Sequence, residues 1–522
     1  MLSTFTALDW LIVIGYLLIL MLFGWKFQAE KSESSKDYFL GGNQMPLWAV
    51  SISVLATTQS AATFLGGPDQ GYRGDYTYLA AAFSAVAAAL FVTRFLIPKF
   101  YAENCTTVYE IIAKRYNQRA MRAAGATYLI GRLLASGARL YLAAIAVSMI
   151  LFSDIEANNI IFSAFIMVSL GFLVTFIGGI RSVIWSDLIQ FIIYLLAALT
   201  VVYFLLTQIP ADLGSIIEGL KHAPDGQDKL RVLNFDLGLA DPFSVISVFT
   251  GLLLLNIANS GLDQDTTQRL LTCNNPKTSG RALIWAAIFS IPVIGIFISI
   301  GQLLHIYYDR PDLMQATLSS ATQDFQGEQI TIFMHYILNN IPSGLKGLVT
   351  IGVIAAAIST INSGLNSMSS VVVEDFYRPW RKNRPAKEES HYVFAGQLSM
   401  GLIGVALFLM SILCYYWQRY TDMPLLEFAL SVMTFAYAGL LGVYFTILFT
   451  NRGSSNSVLL ALAVAFLAST AQQSYIVDTF GLPSLLKDMA FTWKLVIGTV
   501  LAFCACQLGH SKASVSSQPG GG

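Results

Sequence analysis

Residues 355–377 read AAAISTINSGLNSMSSVVVEDFY and close an apolar run that starts near residue 345. A run of that length predicts a membrane-spanning helix. Within it Ser359, Asn362, Ser363, Asn366 and Ser370 recur at helical spacing and make one polar stripe. Polar side chains are costly against lipid, so the stripe is expected to face a cavity or another helix. Two readings are open at this level. A row of neutral oxygens can replace the water shell of a small hard cation such as Na⁺. Small and polar residues on a membrane helix also serve simply to bring neighbouring helices together.

The rest of the chain is of the same kind. Of 522 residues 55% are hydrophobic and 12% charged, and the mean hydropathy is +0.61. That composition describes a polytopic membrane protein and excludes a soluble enzyme. Formal net charge is zero, so no nucleic-acid partner is implied. Cys105, Cys273, Cys414, Cys504 and Cys506 show neither zinc spacing nor a disulfide framework, and the five histidines are scattered.

Apolar segments long enough to cross a bilayer number about thirteen, beginning with residues 8–27. Connections alternate in charge. One set holds Lys114, Arg115, Arg119 and Arg122, and also Arg378, Arg381, Lys382, Arg384 and Lys387. The positive-inside rule then puts the N-terminus outside and the C-terminus in the cytoplasm of a multi-pass protein of the cell inner (plasma) membrane. The longest loop, near residues 208–241, is external on that reading, and residues 509–522 read as a disordered tail.

Two spans look interrupted. The second, SVLATTQSAATFLGG, carries a polar patch at Thr57 to Ser60; the seventh, NIANSGLDQDTTQR, loses its apolar character at Asn256, Asn259, Ser260 and Gly261. Broken helices at matching places in two halves are the sequence sign of an inverted-repeat transporter with its site at mid-membrane. Asn256 and Asn259 are therefore expected at the break or gate of the seventh span.

With these segments in view the chain resembles the sodium:solute symporter family. The matching stretches are DYFLGGNQMPLWAVSISVLATTQSAATF (Asp37 to Phe64), GGIRSVIWSDLIQ (Gly178 to Gln190), LDQDTTQR (Leu262 to Arg269) and Ala355 to Tyr377. The resemblance implies an all-α polytopic membrane protein of the LeuT-type 5+5 inverted repeat with about 13 transmembrane helices. One extra helix and an internal loop occupy residues 1–45, the repeats 46–207 and 242–450, and two further helices 451–508. The implied function is Na⁺-coupled import of a small organic solute across the lipid bilayer, with no covalent chemistry. A monomer suffices for that. A channel or membrane sensor retaining the fold is the rival of another class.

In such symporters the principal Na⁺ site lies between the break of the second span and the ninth span. Carried over by motif, it takes the carbonyls of Ala56, Gln59 and Ala356 and the hydroxyls of Ser359 and Thr360. Gln59 stands where an apolar residue is usual, but only its carbonyl is asked to bind. A candidate second Na⁺ site comprises Asp187, Ser359, Asn362 and Ser363, with Asn362 replacing a serine of that pattern. Asp187 lies roughly 7–8 Å into the sixth span, and an intramembrane carboxylate is a functional candidate by default. The alternative is that Asp187 is structural or part of an exit path.

The solute pocket is expected to involve Thr58, Ser60 and Thr63, which match pocket residues of a sialic acid carrier. On the fourth span Arg132 and Arg139 share one face with Ala135 between them. In those carriers an Arg at the position of Ala135 binds the substrate carboxylate. Two mid-membrane guanidinium groups with no evident acid nearby predict an anionic solute, a carboxylate or sialic-acid-like compound. Glu427 or backbone carbonyls are the alternative partners. A neutral sugar, polyol or amino acid remains the rival substrate class; at the positions a galactose-type carrier uses, this chain has Ala82, an apolar stretch near Phe289, and Asn259.

Overall fold

The structure is a computed structural model that describes residues 5–28, 34–176, 178–224, 226–315, 324–325, 328–385, 387–418 and 430–509. Glu427 and nearly all of the expected tail, 509–522, lie outside the described residues.

Among the described residues seven helices are long and apolar enough to span a bilayer on their own, three more candidates are bent pairs, and three further apolar helices are shorter. In chain order they are α1 (Ala7–Gln28), α2 (Leu47–Thr58 and Ala61–Arg73), α3 (Ala80–Phe95), α4 (Gln118–Phe152), α5 (Ala157–Thr175), α6 (Gly179–Gln208) and α7 (Val245–Gly261 and Gln264–Leu270). Then come α8 (Pro276–Asp309), α9 (Leu345–Val371, continuing to Arg381), α10 (Glu389–Gln418), α11 (Thr434–Phe449), α12 (Ser455–Ala471) and α13 (Phe491–Gln507). A two-residue hairpin pairs Asp324–Phe325 with Glu328–Gln329.

Burial sorts these helices. The apolar window of α9 is 94% buried and that of α4 is 83% buried, against 33% for α5, α6 and α10. The polar-striped helix is thus the axis of the molecule, and the less buried helices lie around it, α6 with its polar face, Asp187 and Gln190, turned inward. Close approach to the axis needs small residues. At Gly71 on α2 a Cβ would collide with Ile298 O of α8, and at Gly301 on α8 one would collide with Pro68 O of α2. The two backbones therefore pack almost in contact.

The first bend falls where the polar patch predicts it. The halves of α2 meet at 62°, with Gln59 and Ser60 in extended conformation. The second bend is displaced from its expected place. Asn256 and Asn259 sit inside the first half of α7, and the chain breaks after them, at Leu262 and Asp263, through 54°. The reason is local: Asp263 accepts from Asp265 N and caps a new helix, while a lone Asn in a helix can bond sideways. Asn256 Nδ2 donates to Ser84 Oγ on α3 at 2.8 Å.

At the other end of the axis, the carboxylate of Asp9 on α1 accepts from Gly344 N at 2.8 Å and Gly347 N at 2.7 Å. It caps α9 and ties the extra N-terminal helix to the core.

Candidate functional site

The break in α2 leaves carbonyls of its first half without the amides that would close a continuing helix. Beside it, a small cleft is lined by Ala56 and Gln59 of α2, Ala356 and Ser359 of α9, and Gln190 and Tyr194 of α6. Four of the five residues expected to hold the cation thus come together. The fifth, Thr360, is buried nearby and donates its hydroxyl to Ala356 O at 3.1 Å. Ser359 Oγ donates to Asp187 Oδ1 at 2.7 Å, which leaves its own lone pairs to accept. All these donor atoms are neutral oxygens, a set suited to a monovalent hard cation.

The second expected cation set is arranged differently. Asp187 is fully buried and ion-paired: Arg269 Nη2 lies 3.0 Å from its Oδ2, and Ser53 Oγ donates to the same oxygen at 2.5 Å. Ser363 accepts from Arg269 Nη2 at 2.5 Å. Asn362 turns away from Asp187; with its nitrogen facing α5, it lies 2.8 Å from Gly171 O and 3.0 Å from Thr175 Oγ1. A guanidinium thus stands where the expectation put a second cation. No spacing rule couples residue 187 to residue 269, so the sequence held no sign of the pair.

The rest of the polar stripe meets the second half of α7. Gln268 Nε2 donates to Asn366 Oδ1 at 2.7 Å and Gln264 Nε2 to Ser370 Oγ at 3.3 Å. Only the Ser359 end of the stripe opens on the cation cleft. The remainder joins helices.

Arg132 corrects a second expectation. It does not lack a protein acid: both Asp263, at 2.9 Å, and Asp265 pair with it, and all three side chains are buried. Asp263 also accepts from Tyr437 Oη, and Asp265 Oδ1 lies 2.6 Å from Arg269 Nη1. The result is a buried chain of alternating charge, Arg132, Asp265, Arg269, Asp187, running from α4 through α7 to α6. Such a chain is tolerated in a membrane because every member is ion-paired, the two guanidinium groups being shared among the three carboxylates of Asp187, Asp263 and Asp265.

A cavity of about 120 Å³ lies between the two breaks. Thr58, Gln59 and Thr63 of α2, Arg139 of α4, Asn256 and Asn259 of α7 and Ser290 of α8 supply its polar wall. Ser60 and Arg132 are not among its lining residues. Tyr78, missed by the sequence reading, completes the wall just before α3. Arg139 is the single charged residue among the described lining residues, and its Nη2 donates only to Met433 Sδ, at 3.4 Å.

Seven to ten membrane-spanning helices among the described residues, two central breaks, and a cleft of neutral oxygens beside a buried polar cavity define a cation-coupled carrier of the LeuT-type inverted-repeat fold. The model of the sodium:solute symporter family matches residues 38–472, and the chain belongs to that family. It is a Na⁺-coupled symporter and not an enzyme. It is 26% identical over 503 residues to the sodium/sialic acid symporter NanT of Aliivibrio fischeri, covering 96% of this chain and 92% of that one. It is 27% identical to the sodium/sialic acid symporter SiaT of Proteus mirabilis, over 90% of each chain. A solved structure of a Na⁺-coupled sialic acid symporter in a substrate-bound outward-open state superposes with a TM-score of 0.79 at 24% identity, covering 96% of this chain and 97% of that one.

Proposed function

We propose that the solute is a small organic anion, bound in the cavity between the breaks with its carboxylate on Arg139. The observation that carries this is the pairing of charges. Arg132 is ion-paired with Asp263 and Asp265, whereas Arg139 reaches the cavity with no carboxylate in ion-pair contact among the described residues. A buried guanidinium without a counterion is costly, and a carboxylate arriving with Na⁺ supplies one. Thr58, Thr63, Asn256, Asn259 and Ser290 supply hydroxyls and amides for the polar groups of the solute. The sialic acid carriers among its relatives support the anionic class.

Na⁺ is held at the α2 break by Ala56, Gln59, Ala356, Ser359 and Thr360. Arg269 fixes Asp187, so one Na⁺ is carried per solute. Residues 46–207 and 242–450 form the two inverted repeats, with residues 1–45 and 451–508 outside them. The N-terminus is outside and the C-terminus cytoplasmic in the plasma membrane. The test is uptake into proteoliposomes under a Na⁺ gradient, with paired acids and their amides or esters as solutes. Acids should be accumulated and their neutral analogues rejected; equal handling of both would return the neutral-solute reading.

A further inference from the structure

The cation cleft has a polar wall that the carbonyl site does not use. Gln59 Oε1, both amide atoms of Gln190, and the hydroxyls of Tyr194 and Tyr16 are buried without a hydrogen-bond partner. The four residues are 4%, 1%, 2% and 2% exposed. Buried polar atoms are rarely left so, and three of these residues, Gln59, Gln190 and Tyr194, gather at one cleft. Gln190 and Tyr194 are four apart on α6 and share a face, one turn beyond Asp187. The Tyr194 ring is held at 5.4 Å from Phe64 and 4.8 Å from Phe297, so its hydroxyl is fixed in direction. Gln59, Gln190 and Tyr194 line the same cleft as Ala56, Ala356 and Ser359. Gln59 also lines the solute cavity.

The chemistry of this wall is specific. It holds no carboxylate, so it does not suit a divalent cation, which demands charged oxygen ligands. Tyr16 lies beside Gln190 on its α1 side. An amide nitrogen turned to that hydroxyl leaves Gln190 Oε1 facing the cleft. Gln59, Gln190 and Tyr194 thus bring two amides and a phenol to the cleft that Ala56 and Ala356 border.

We propose that the side-chain oxygens of Gln59 and Gln190, with Tyr194 Oη behind them, are additional Na⁺ ligands that extend the carbonyl site, directly or through one ordered water. The proposal rests on the placement of Na⁺ at the α2 break. It makes Gln59 a ligand through its side chain as well as its backbone, at the one residue that borders both the cation cleft and the solute cavity. Side-chain chemistry at residues 59 and 190 therefore sets the cation affinity of this chain.

The test is Na⁺ titration of the purified full-length protein, followed by thermal shift in K⁺-balanced buffer, for wild type, Ser359→Ala, Gln59→Leu, Gln190→Leu and Gln190→Glu. Gln59→Leu and Gln190→Leu should each raise the Na⁺ midpoint about tenfold, the scale of one contact to a charged group. Their Na⁺-free melting temperatures should hold or rise, because a buried orphan amide has been removed. Gln190→Glu keeps an oxygen in place and should retain or tighten Na⁺ binding. Unchanged Na⁺ midpoints in both leucine variants, with Ser359→Ala impaired, would overturn this inference while leaving the α2 site standing. A wild type and Ser359→Ala that titrate alike would overturn both. If the leucine variants do not fold, Gln190→Glu decides: an unchanged or lowered Na⁺ midpoint, with binding retained, supports the proposal, and a raised midpoint overturns it.

Discussion

Arg269 Nη2 lies 3.0 Å from Asp187 Oδ2, with both side chains fully buried at the centre of the membrane fold. One residue comes from the second half of α7 and the other from α6, so the pair joins the two halves of the molecule. It also satisfies a carboxylate that would otherwise be a natural cation ligand. Wild-type transport should therefore depend on Na⁺ with a Hill slope of about 1, since cooperativity cannot exceed the number of coupled sites. Asp187→Asn should leave Arg269 partly uncompensated and cost roughly 3–5 kcal/mol of stability, with Arg269→Gln in the same chain restoring part of it. A wild-type slope well above one would show that a second ion binds.

Ser359 is the hydroxyl that faces the cation cleft from α9. Ser359→Ala should raise the Na⁺ requirement by about 5- to 150-fold, corresponding to roughly 1–3 kcal/mol, while leaving the fold intact. K⁺ should not replace Na⁺ in either protein. Uptake by the purified wild type in Na⁺-free liposomes carrying a proton gradient would refute the assignment.

Arg139 and Arg132 should separate cleanly. Arg139→Lys retains the charge but loses the planar fork, and should weaken binding of the acid by about tenfold or more if the contact is bidentate. Arg132→Lys should instead lower thermal stability, because Asp263 and Asp265 lose their matched partner. It should leave the preference for acid over amide unchanged. A solute panel run on both variants, alongside melting curves, distinguishes the two roles.

Asp9 lines neither cavity and accepts hydrogen bonds from Thr6 N at 2.9 Å, Thr6 Oγ1 at 2.6 Å, Gly344 N at 2.8 Å, Gly347 N at 2.7 Å and Ser343 Oγ at 3.5 Å. Asp9→Ala should cost about 1–3 kcal/mol by leaving the first amides of α9 without an acceptor. Na⁺ affinity should not move. Differential scanning fluorimetry with and without Na⁺ checks both halves of that expectation.

The membrane class, the long apolar helices, the break at Gln59 and Ser60, and the oxygen-bearing residues grouped at that break were all legible in the chain. These are local properties. Hydropathy over some twenty residues fixes a span, and a polar patch inside it marks the bend. Family motifs then carried Ala56, Gln59, Ala356 and Ser359 to one cleft, where the structure finds them. The charges were settled by packing. Asp187 with Arg269, and Arg132 with Asp263 and Asp265, are pairs between helices far apart in sequence, and an ion pair leaves no periodic trace in either helix. The same holds for Asn362, whose partners are on α5, and for Asn256 and Asn259, which lie before the bend because the capping carboxylate of Asp263 comes after them. Charge in a membrane is read by its partner, and the partner is a fact of packing.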